Sequence, residues 1–192
     1  MLKKIVCSAL LLLSQSSFAG IIELAVDQNN YQINDVITAQ VIVKDFNQPL
    51  AGAFTELVFD ENALSLISWQ FSGAFDDGFG SFQFDDDTKL GALYLEDIAD
   101  VAADFTTLAS LQANAFILAT IQFTVMAEGF FELALNEQVS GALSIDNDLL
   151  AITTGNTSFN VGATTAVPEP STFILMFLGF YGFISVKKRY RK

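Results

Sequence analysis

The sequence contains no histidine, and its single cysteine is Cys7. Nucleophilic sites of the Ser-His-Asp and Cys-His types need an imidazole, and protein-bound zinc is usually held by histidine or thiolate. These absences exclude such chemistry from the bulk of the chain. A pair of carboxylates could still hydrolyse a glycosidic bond, and oxygen-rich loops could hold calcium, although no EF-hand spacing is present. We therefore expect a non-catalytic protein with no metal site and no cofactor.

Basic residues are also scarce and are confined largely to the two ends. The chain has 22 acidic and nine basic residues, and between Gly20 and Ala166 there are 21 acids but only Lys44 and Lys89, a net charge of −19. A surface of this sign repels nucleic acid and anionic membranes. We expect no nucleic-acid partner. The acidic stretches are interpreted as solvated surface: Asp76-Asp77, Asp85-Asp86-Asp87, and Glu96-Asp97 with Asp100.

The first residues have the order of a secretory signal peptide. Lys3 and Lys4 precede a short apolar run, and small residues follow up to Ala19. This pattern predicts a signal peptide over residues 1–19, with signal peptidase cutting between Ala19 and Gly20. Cleavage removes Cys7, so the exported chain cannot form disulfides and must be held together by an apolar core.

The C-terminal end combines an uncharged run with a basic cluster. Residues 172–186 carry no charge, and a helix over about residues 171–186 is a short membrane-spanning candidate once flanking residues extend its reach. Because basic residues stay in the cytoplasm, this tail places the preceding domain outside. The stop and orientation signal is formed by Lys187, Lys188, Arg189, Arg191 and Lys192.

The residues before this run form a stiff peptide with a sequence resemblance. Pro168 and Pro170 restrict themselves and the residues before them to extended conformations. "VPEPS", a Phe-rich run and "KKRYRK" together resemble the PEP-CTERM sorting signal of exported proteins in exopolysaccharide-producing Gram-negative bacteria. The resemblance spans residues 166–192. It implies an exosortase-type membrane protease as partner, with the sorting and cleavage motif formed by Val167, Pro168, Glu169 and Pro170.

The resemblance also implies a path through the cell. The chain would be held briefly in the inner membrane, with its domain outside the cytoplasm. It would then reach the cell surface or the extracellular matrix, where exopolysaccharide is an expected partner.

Residues 20–165 show the alternation of an all-β domain. Apolar residues alternate with polar ones in several short segments separated by Gly, Asn and Asp turns, which predicts an antiparallel β-sandwich. Residues 101–114 lack this alternation and are either one helix or a long loop. Inward-facing positions are predicted at Ile37, Ala39, Val41 and Val43, at Ile67, Trp69 and Phe71, and at Ile117, Ala119, Ile121, Phe123 and Val125.

Three stretches of this domain resemble cohesin modules. These are "YQINDVITAQVIV", "LAGAFTELVFDENALSLIS" and "LATIQFTVMAEGFFELAL". The resemblance implies a cohesin-like sandwich, which is a relative of the jelly roll. Cohesins bind dockerin modules, but no dockerin-contact residue can be assigned in this chain, so that partner is not carried over.

An aromatic and acidic stretch, "GAFDDGFGSFQFDDD", supplies candidate ligand contacts. Aromatic rings exposed in a sandwich loop can stack on sugars, and Phe75, Phe79 and Phe82 are the candidates here. The same rings could instead belong to the core or to an edge hairpin, which is the more common place for aromatic side chains. The sequence thus leaves two functions open: a non-catalytic surface or matrix protein, and a carbohydrate-binding module that acts on matrix polysaccharide.

Overall fold

The computed structural model describes residues 19–162. Four features of the sequence lie outside the described residues: the predicted membrane helix, the Pro-Glu-Pro motif, the basic tail, and the predicted signal peptide apart from Ala19. Within 19–162, no helix has both the length and the apolar character needed to cross a membrane. The described elements are β1 (Gly20–Val26), β2 (Asn30–Gln32), β3 (Val36–Lys44), β4 (Leu50–Val58), β5 (Leu64–Phe71), β6 (Ser81–Asp86), β7 (Ala92–Ala99), α1 (Phe105–Gln112), β8 (Ala115–Val125), β9 (Gly129–Leu135), β10 (Gly141–Ser144), β11 (Leu149–Leu150), β12 (Ile152–Gly155) and β13 (Thr157–Gly162).

The strands form two sheets that enclose one apolar core. Sheet I has the order β12-β1-β3-β8-β5. Sheet II has the order β11-β10-β4-β9-β13-β2, and β7 pairs with β4 and carries β6 at its far side. The all-β sandwich predicted from the alternation is confirmed, although two of its pairings, β1 with β12 and β13 with β2, are parallel.

The core is built by the alternation that the sequence displays. Ile37, Ala39, Val41 and Val43 of β3 are all fully buried, as predicted, and their polar neighbours face outward. From β8, Phe123 packs edge-on against Phe59 with ring centroids 4.9 Å apart. Burial of such side chains contributes about 1.5–3 kcal/mol each. The apolar core therefore takes the stabilising role that disulfides cannot fill.

Two β-bulges overturn two of the predicted inward positions. The pairing of β5 with β8 shifts between Leu66 and Ser68, and Ile67 is left half-exposed. In β8, the register shifts near Leu118, so Ile117 lies opposite Ile42, on the outer side of β3. A bulge adds one residue to a strand and reverses the side on which the following residues lie. A strict two-residue period cannot predict that reversal.

The segment that lacked alternation forms a short helix. Asp104 caps α1, because its carboxylate accepts hydrogen bonds from the Thr106 N–H at 3.0 Å and from the Thr107 hydroxyl at 2.9 Å. These bonds lower the pKa of Asp104. Leu108 of the helix is fully buried. The helix thus packs one apolar side chain into the sandwich and settles the alternative that the sequence left open.

Candidate functional site

An exposed aromatic surface lies on the β6–β7 hairpin at the edge of sheet II. In the described residues β6 pairs only with β7. The register places Phe82 opposite Ile98 and Phe84 opposite Glu96. Directly opposed residues of an antiparallel pair project to the same side. Phe82, Phe84, Ile98 and Glu96 therefore share the outer side of the sheet.

Of the three predicted ligand contacts, two are exposed and one is buried. Phe79 and Phe82 are 69% and 64% exposed, so both are accessible. Phe75 is fully buried and packs edge-on against Phe116 with centroids 5.4 Å apart. The prediction that Phe75 could contact a ligand is therefore wrong. It lies in the same loop as Phe79 but points into the core, which the sequence pattern does not reveal.

Strand β4 extends this surface across the sheet. Phe54 lies opposite Glu96 on one side and opposite Gly141 on the other. A Cβ added at Gly141 would lie 2.5 Å from Cζ of Phe54, so this ring covers the glycine. The absence of a side chain at Gly141 lets the Phe54 ring lie low over the sheet. We call the resulting surface the aromatic face; it comprises Phe54, Phe82, Phe84, Tyr94, Glu96 and Ile98.

Glu96 occupies the middle of the aromatic face. Phe84 and Phe54 flank it on the two neighbouring strands, and strands in a sheet lie about 4.8 Å apart. The Tyr94 hydroxyl donates to Oε2 of Glu96 at 3.1 Å. Burial, the charge of Glu96 and this bond raise the pKa of Tyr94 to about 12. Tyr94 therefore remains a proton donor that orients the carboxylate.

One margin of the aromatic face carries an ion pair. Lys89 Nζ lies 2.8 Å from Oε1 of Glu56, and the Asn136 amide donates to Oε2 of Glu56 at 2.6 Å. Lys89 and then Asn136 lower the pKa of Glu56. Glu56 is fully engaged by these partners. Among residues 19–162, the other lysine, Lys44, pairs with Glu23 at 2.7 Å, so neither lysine is paired with Glu96.

Asp97 points the opposite way from Glu96 and is buried. The prediction that Asp97 belongs to a solvated acidic surface is wrong, because Asp97 is fully buried on the inner side of β7. Its Oδ1 has no hydrogen-bond partner among the described residues, and the Gln83 amide reaches Oδ2 only at 3.4 Å. Burial is the main cause that raises the pKa of Asp97, and the nearby charge of Asp76 adds to it.

The remaining acids do not converge on a metal site. Over residues 19–162 no group of three or more acidic, cysteine or histidine side chains is arranged to hold a metal ion. In the loop before β6, Asp76 instead accepts backbone N–H bonds from Gly78 and Gly80, each at 2.9 Å. This acid therefore shapes the loop that presents Phe79.

The predicted signal peptidase site lies at the start of the fold. Gly20 is the first residue of β1 and is buried, and its N–H donates to the Ala151 carbonyl at 3.1 Å. Ala19, the residue on the other side of the predicted cut, precedes the strand. The first strand of the described residues therefore begins at the residue that would be the N-terminus after the predicted cut.

Cohesin modules are among the solved structures that match this architecture. A type II cohesin from the cellulosome of Acetivibrio cellulolyticus superposes with a TM-score of 0.63 at 16% identity, over 74% of this chain and 95% of that one. The domain has the cohesin fold. A cohesin module from a Clostridium perfringens family 33 glycoside hydrolase matches with a TM-score of 0.60 at 9% identity, over 76% and 98% of the two chains. A non-cellulosomal cohesin from the archaeon Archaeoglobus fulgidus gives 0.56 at 15% identity, over 77% and 94%.

The C-terminal segment matches a family model of its own. Residues 166–192 match the PEP-CTERM protein-sorting motif. The chain therefore carries an exosortase sorting signal behind a cohesin-like domain, and the motif indicates export and membrane-associated sorting. No curated protein matches the sequence.

Sequence reasoning missed most of the aromatic face. Phe54, Tyr94 and Glu96 were not recognised as site residues, because they lie on β4 and β7, outside the Phe-rich stretch. The signal was present in "ALYLEDIA", where Leu93, Leu95 and Asp97 are buried and alternate with Tyr94, Glu96 and Ile98. Only the register between strands shows that the second set lies beside Phe84.

Proposed function

We propose that this is a non-catalytic cell-surface or matrix protein that associates with exopolysaccharide through the aromatic face. The chain would enter the export pathway by its signal peptide and lose residues 1–19 to signal peptidase. The C-terminal segment would then hold it in the inner membrane until an exosortase acts. The cohesin-like domain is the part that persists at the surface or in the matrix.

Each part of the sorting segment has a separate task in this proposal. Residues 171–186 form the transient membrane helix, and Lys187, Lys188, Arg189, Arg191 and Lys192 keep the end of the chain in the cytoplasm. The rigid Val167-Pro168-Glu169-Pro170 peptide is what the exosortase reads, since an extended backbone fits a protease cleft. The match of residues 166–192 to the PEP-CTERM motif supports this assignment.

The observation that carries the binding role is the cluster of exposed rings on neighbouring strands. Phe82 and Phe84 are 64% and 46% exposed on β6, and Phe84 packs edge-on against Tyr94 with centroids 6.0 Å apart. Soluble proteins rarely leave contiguous apolar rings in water without a partner. Aromatic rings present a flat apolar surface of the kind that pyranose rings can stack on. The net charge of −19 over residues 20–166 disfavours strongly anionic polysaccharides.

Affinity electrophoresis tests the proposal directly. Residues 20–166, which contain the complete sandwich and its core, are run in gels containing the matrix polysaccharide of the native host. We expect retardation of the wild-type domain and a loss of affinity of about tenfold or more in Phe82→Ala/Phe84→Ala. Phe130→Ala is the matched control, because Phe130 is 68% exposed and lies on β9, outside the aromatic face. Absence of retardation on every matrix polysaccharide would refute the proposal.

A protein ligand is the second candidate, and the solved structures favour it. One cohesin with this fold, the sixth of scaffoldin B from Acetivibrio cellulolyticus, was solved in complex with a Cel5 dockerin. A dockerin-like partner of this chain would be captured by the domain without polysaccharide. Pull-down with a panel of dockerin modules distinguishes the two functions: a dockerin that binds, together with no retardation on polysaccharide, assigns the domain to protein recognition.

A further inference from the structure

Glu96 lies among the residues of the aromatic face. In the described part of the chain it forms no ion pair with a lysine or arginine. Phe84 and Phe54 occupy the positions opposite it on β6 and β4, and the Tyr94 hydroxyl donates to its Oε2. Glu96 is half-buried rather than fully solvated. Both ion pairs of residues 19–162 use other acids, Glu23 and Glu56. The carboxylate is thus oriented but not neutralised.

Aromatic rings around a carboxylate select for a cation. The faces of aromatic rings carry negative potential and attract ammonium groups, with a gain of about 0.5–1 kcal/mol at exposed sites and more where water is excluded. A carboxylate at the same place adds a charge-assisted hydrogen bond. An anionic group brought here would meet Glu96 and a domain of net charge −19. The ligand that complements the aromatic face therefore combines flat apolar rings with positive charge.

From this arrangement we infer that the aromatic face binds a polysaccharide whose sugars carry free, protonated amino groups. This inference rests on the proposed association with exopolysaccharide and names the class of polysaccharide. A sugar ring stacks on Phe84, which packs against Tyr94, and its ammonium donates to Glu96. Tyr94 is a positioning residue whose hydroxyl bond orients the carboxylate beside Phe84. An N-acetylated sugar can stack equally well but offers no charge to Glu96.

Two oligosaccharides that differ only in the amine test the inference. Isothermal titration of residues 20–166 with glucosamine oligomers and with N-acetylglucosamine oligomers of equal length compares the charged and the uncharged ligand. The titration is run in mildly acidic buffer, where the amines are protonated. We expect the glucosamine oligomer to bind about tenfold more tightly or better, and added salt to reduce that preference.

Variants that remove one negative charge each distinguish binding at Glu96 from a general attraction of the cationic ligand to the acidic domain. Glu96→Gln keeps the shape and the bond from Tyr94, and we expect it to abolish the preference for the amine. Glu128→Gln removes one charge at an exposed position between β8 and β9, and we expect a change of less than about twofold. Equal losses in the two variants, or equal binding of the two oligomers, would overturn the inference.

The proposed function and the inference fail in different ways. Retardation on matrix polysaccharide without a preference for the amine oligomer overturns the inference and leaves the proposed function standing. Failure to bind any matrix polysaccharide overturns both. Retardation that depends on Phe84, together with an amine preference that depends on Glu96, supports both.

Discussion

The side chain of Gln112 forms hydrogen bonds with both the backbone N–H and the backbone carbonyl of Leu50. Its Oε1 accepts from the Leu50 N–H at 2.7 Å, and its Nε2 donates to the Leu50 carbonyl at 2.9 Å. Gln112 is the last residue of α1 and is buried. The helix is thereby fastened to the first residue of β4, the strand that contributes Phe54 to the aromatic face.

Gln112→Ala should destabilise the domain strongly. It leaves a buried N–H and a buried carbonyl without partners, and each such group costs about 1–3 kcal/mol. We expect a loss of about 2–4 kcal/mol in the free energy of unfolding, measured by urea denaturation. Leu111→Ala is the control, because Leu111 is the adjacent helical residue and is exposed. Similar losses in the two variants would contradict the role given to the Gln112 amide.

A glycine in the β6–β7 turn is required by close packing. Gly91 has φ +69°, and a Cβ there would lie 2.7 Å from the carbonyl oxygen of Phe59. Gly73 has φ +81° with open space around it, so it isolates the effect of backbone conformation. We expect Gly73→Ala to cost about 1 kcal/mol, and Gly91→Ala at least twice as much, by thermal or urea unfolding. Equal costs would show that the contact with Phe59 relaxes freely.

Asp97 makes stability depend on pH. Its pKa in the folded protein is raised above 3.8 by burial. The stabilisation that comes with a protonated Asp97 is fully present below the pKa that this group has in the unfolded chain. It is lost as the pH rises through the pKa that the group has in the folded protein. Asp97→Asn should therefore gain stability relative to wild type as pH rises from about 4 towards 8. Unfolding free energies across this range measure the difference between the two proteins.

Exposed Asp85→Asn is the matched control for Asp97→Asn. Asp85 lies on β6 and is exposed. A stability gain of Asp85→Asn equal to that of Asp97→Asn, or no change with pH in the stability difference of Asp97→Asn, would contradict the role given to burial.

The sorting motif should determine where the protein goes. Replacing Pro168, Glu169 and Pro170 with alanine removes the stiff peptide that the exosortase is proposed to read. We expect the full-length variant to accumulate in the inner-membrane fraction and to disappear from the surface and the medium. Thr164→Ala/Thr165→Ala changes the neighbouring residues and should leave sorting unchanged. Arrival of the triple variant at the surface with the wild-type C-terminus would refute the assignment.

The sequence predicted the regular parts of the fold and failed where strands are irregular. The alternation of Ile37, Ala39, Val41 and Val43 is enough to predict β3, because every second residue faces the core. The bulges that turn Ile67 and Ile117 outward add single residues to β5 and β8, and a periodic pattern contains no sign of them. Local pattern therefore predicted the strands but not every face.

The candidate site was predictable only in part, for a related reason. Phe79 and Phe82 could be predicted as ligand contacts because they lie close together in one Phe-rich stretch of the sequence. Glu96 and Phe54 join Phe82 in the aromatic face through pairing across β7, which depends on register. The opposite directions of Glu96 and Asp97 follow from the alternation of a strand, but which of the two is buried depends on the sheet that covers them. Long-range pairing is thus the information that one sequence lacks.

The intact mass of the mature protein from its native host tests the central claim most directly, because one value reports the cuts at both ends. We expect the mass of a chain that begins at Gly20 and ends near the Pro-Glu-Pro motif, without the apolar run or Lys192. A mass that includes residues 172–192, recovered from protein still held in the inner membrane, would contradict it.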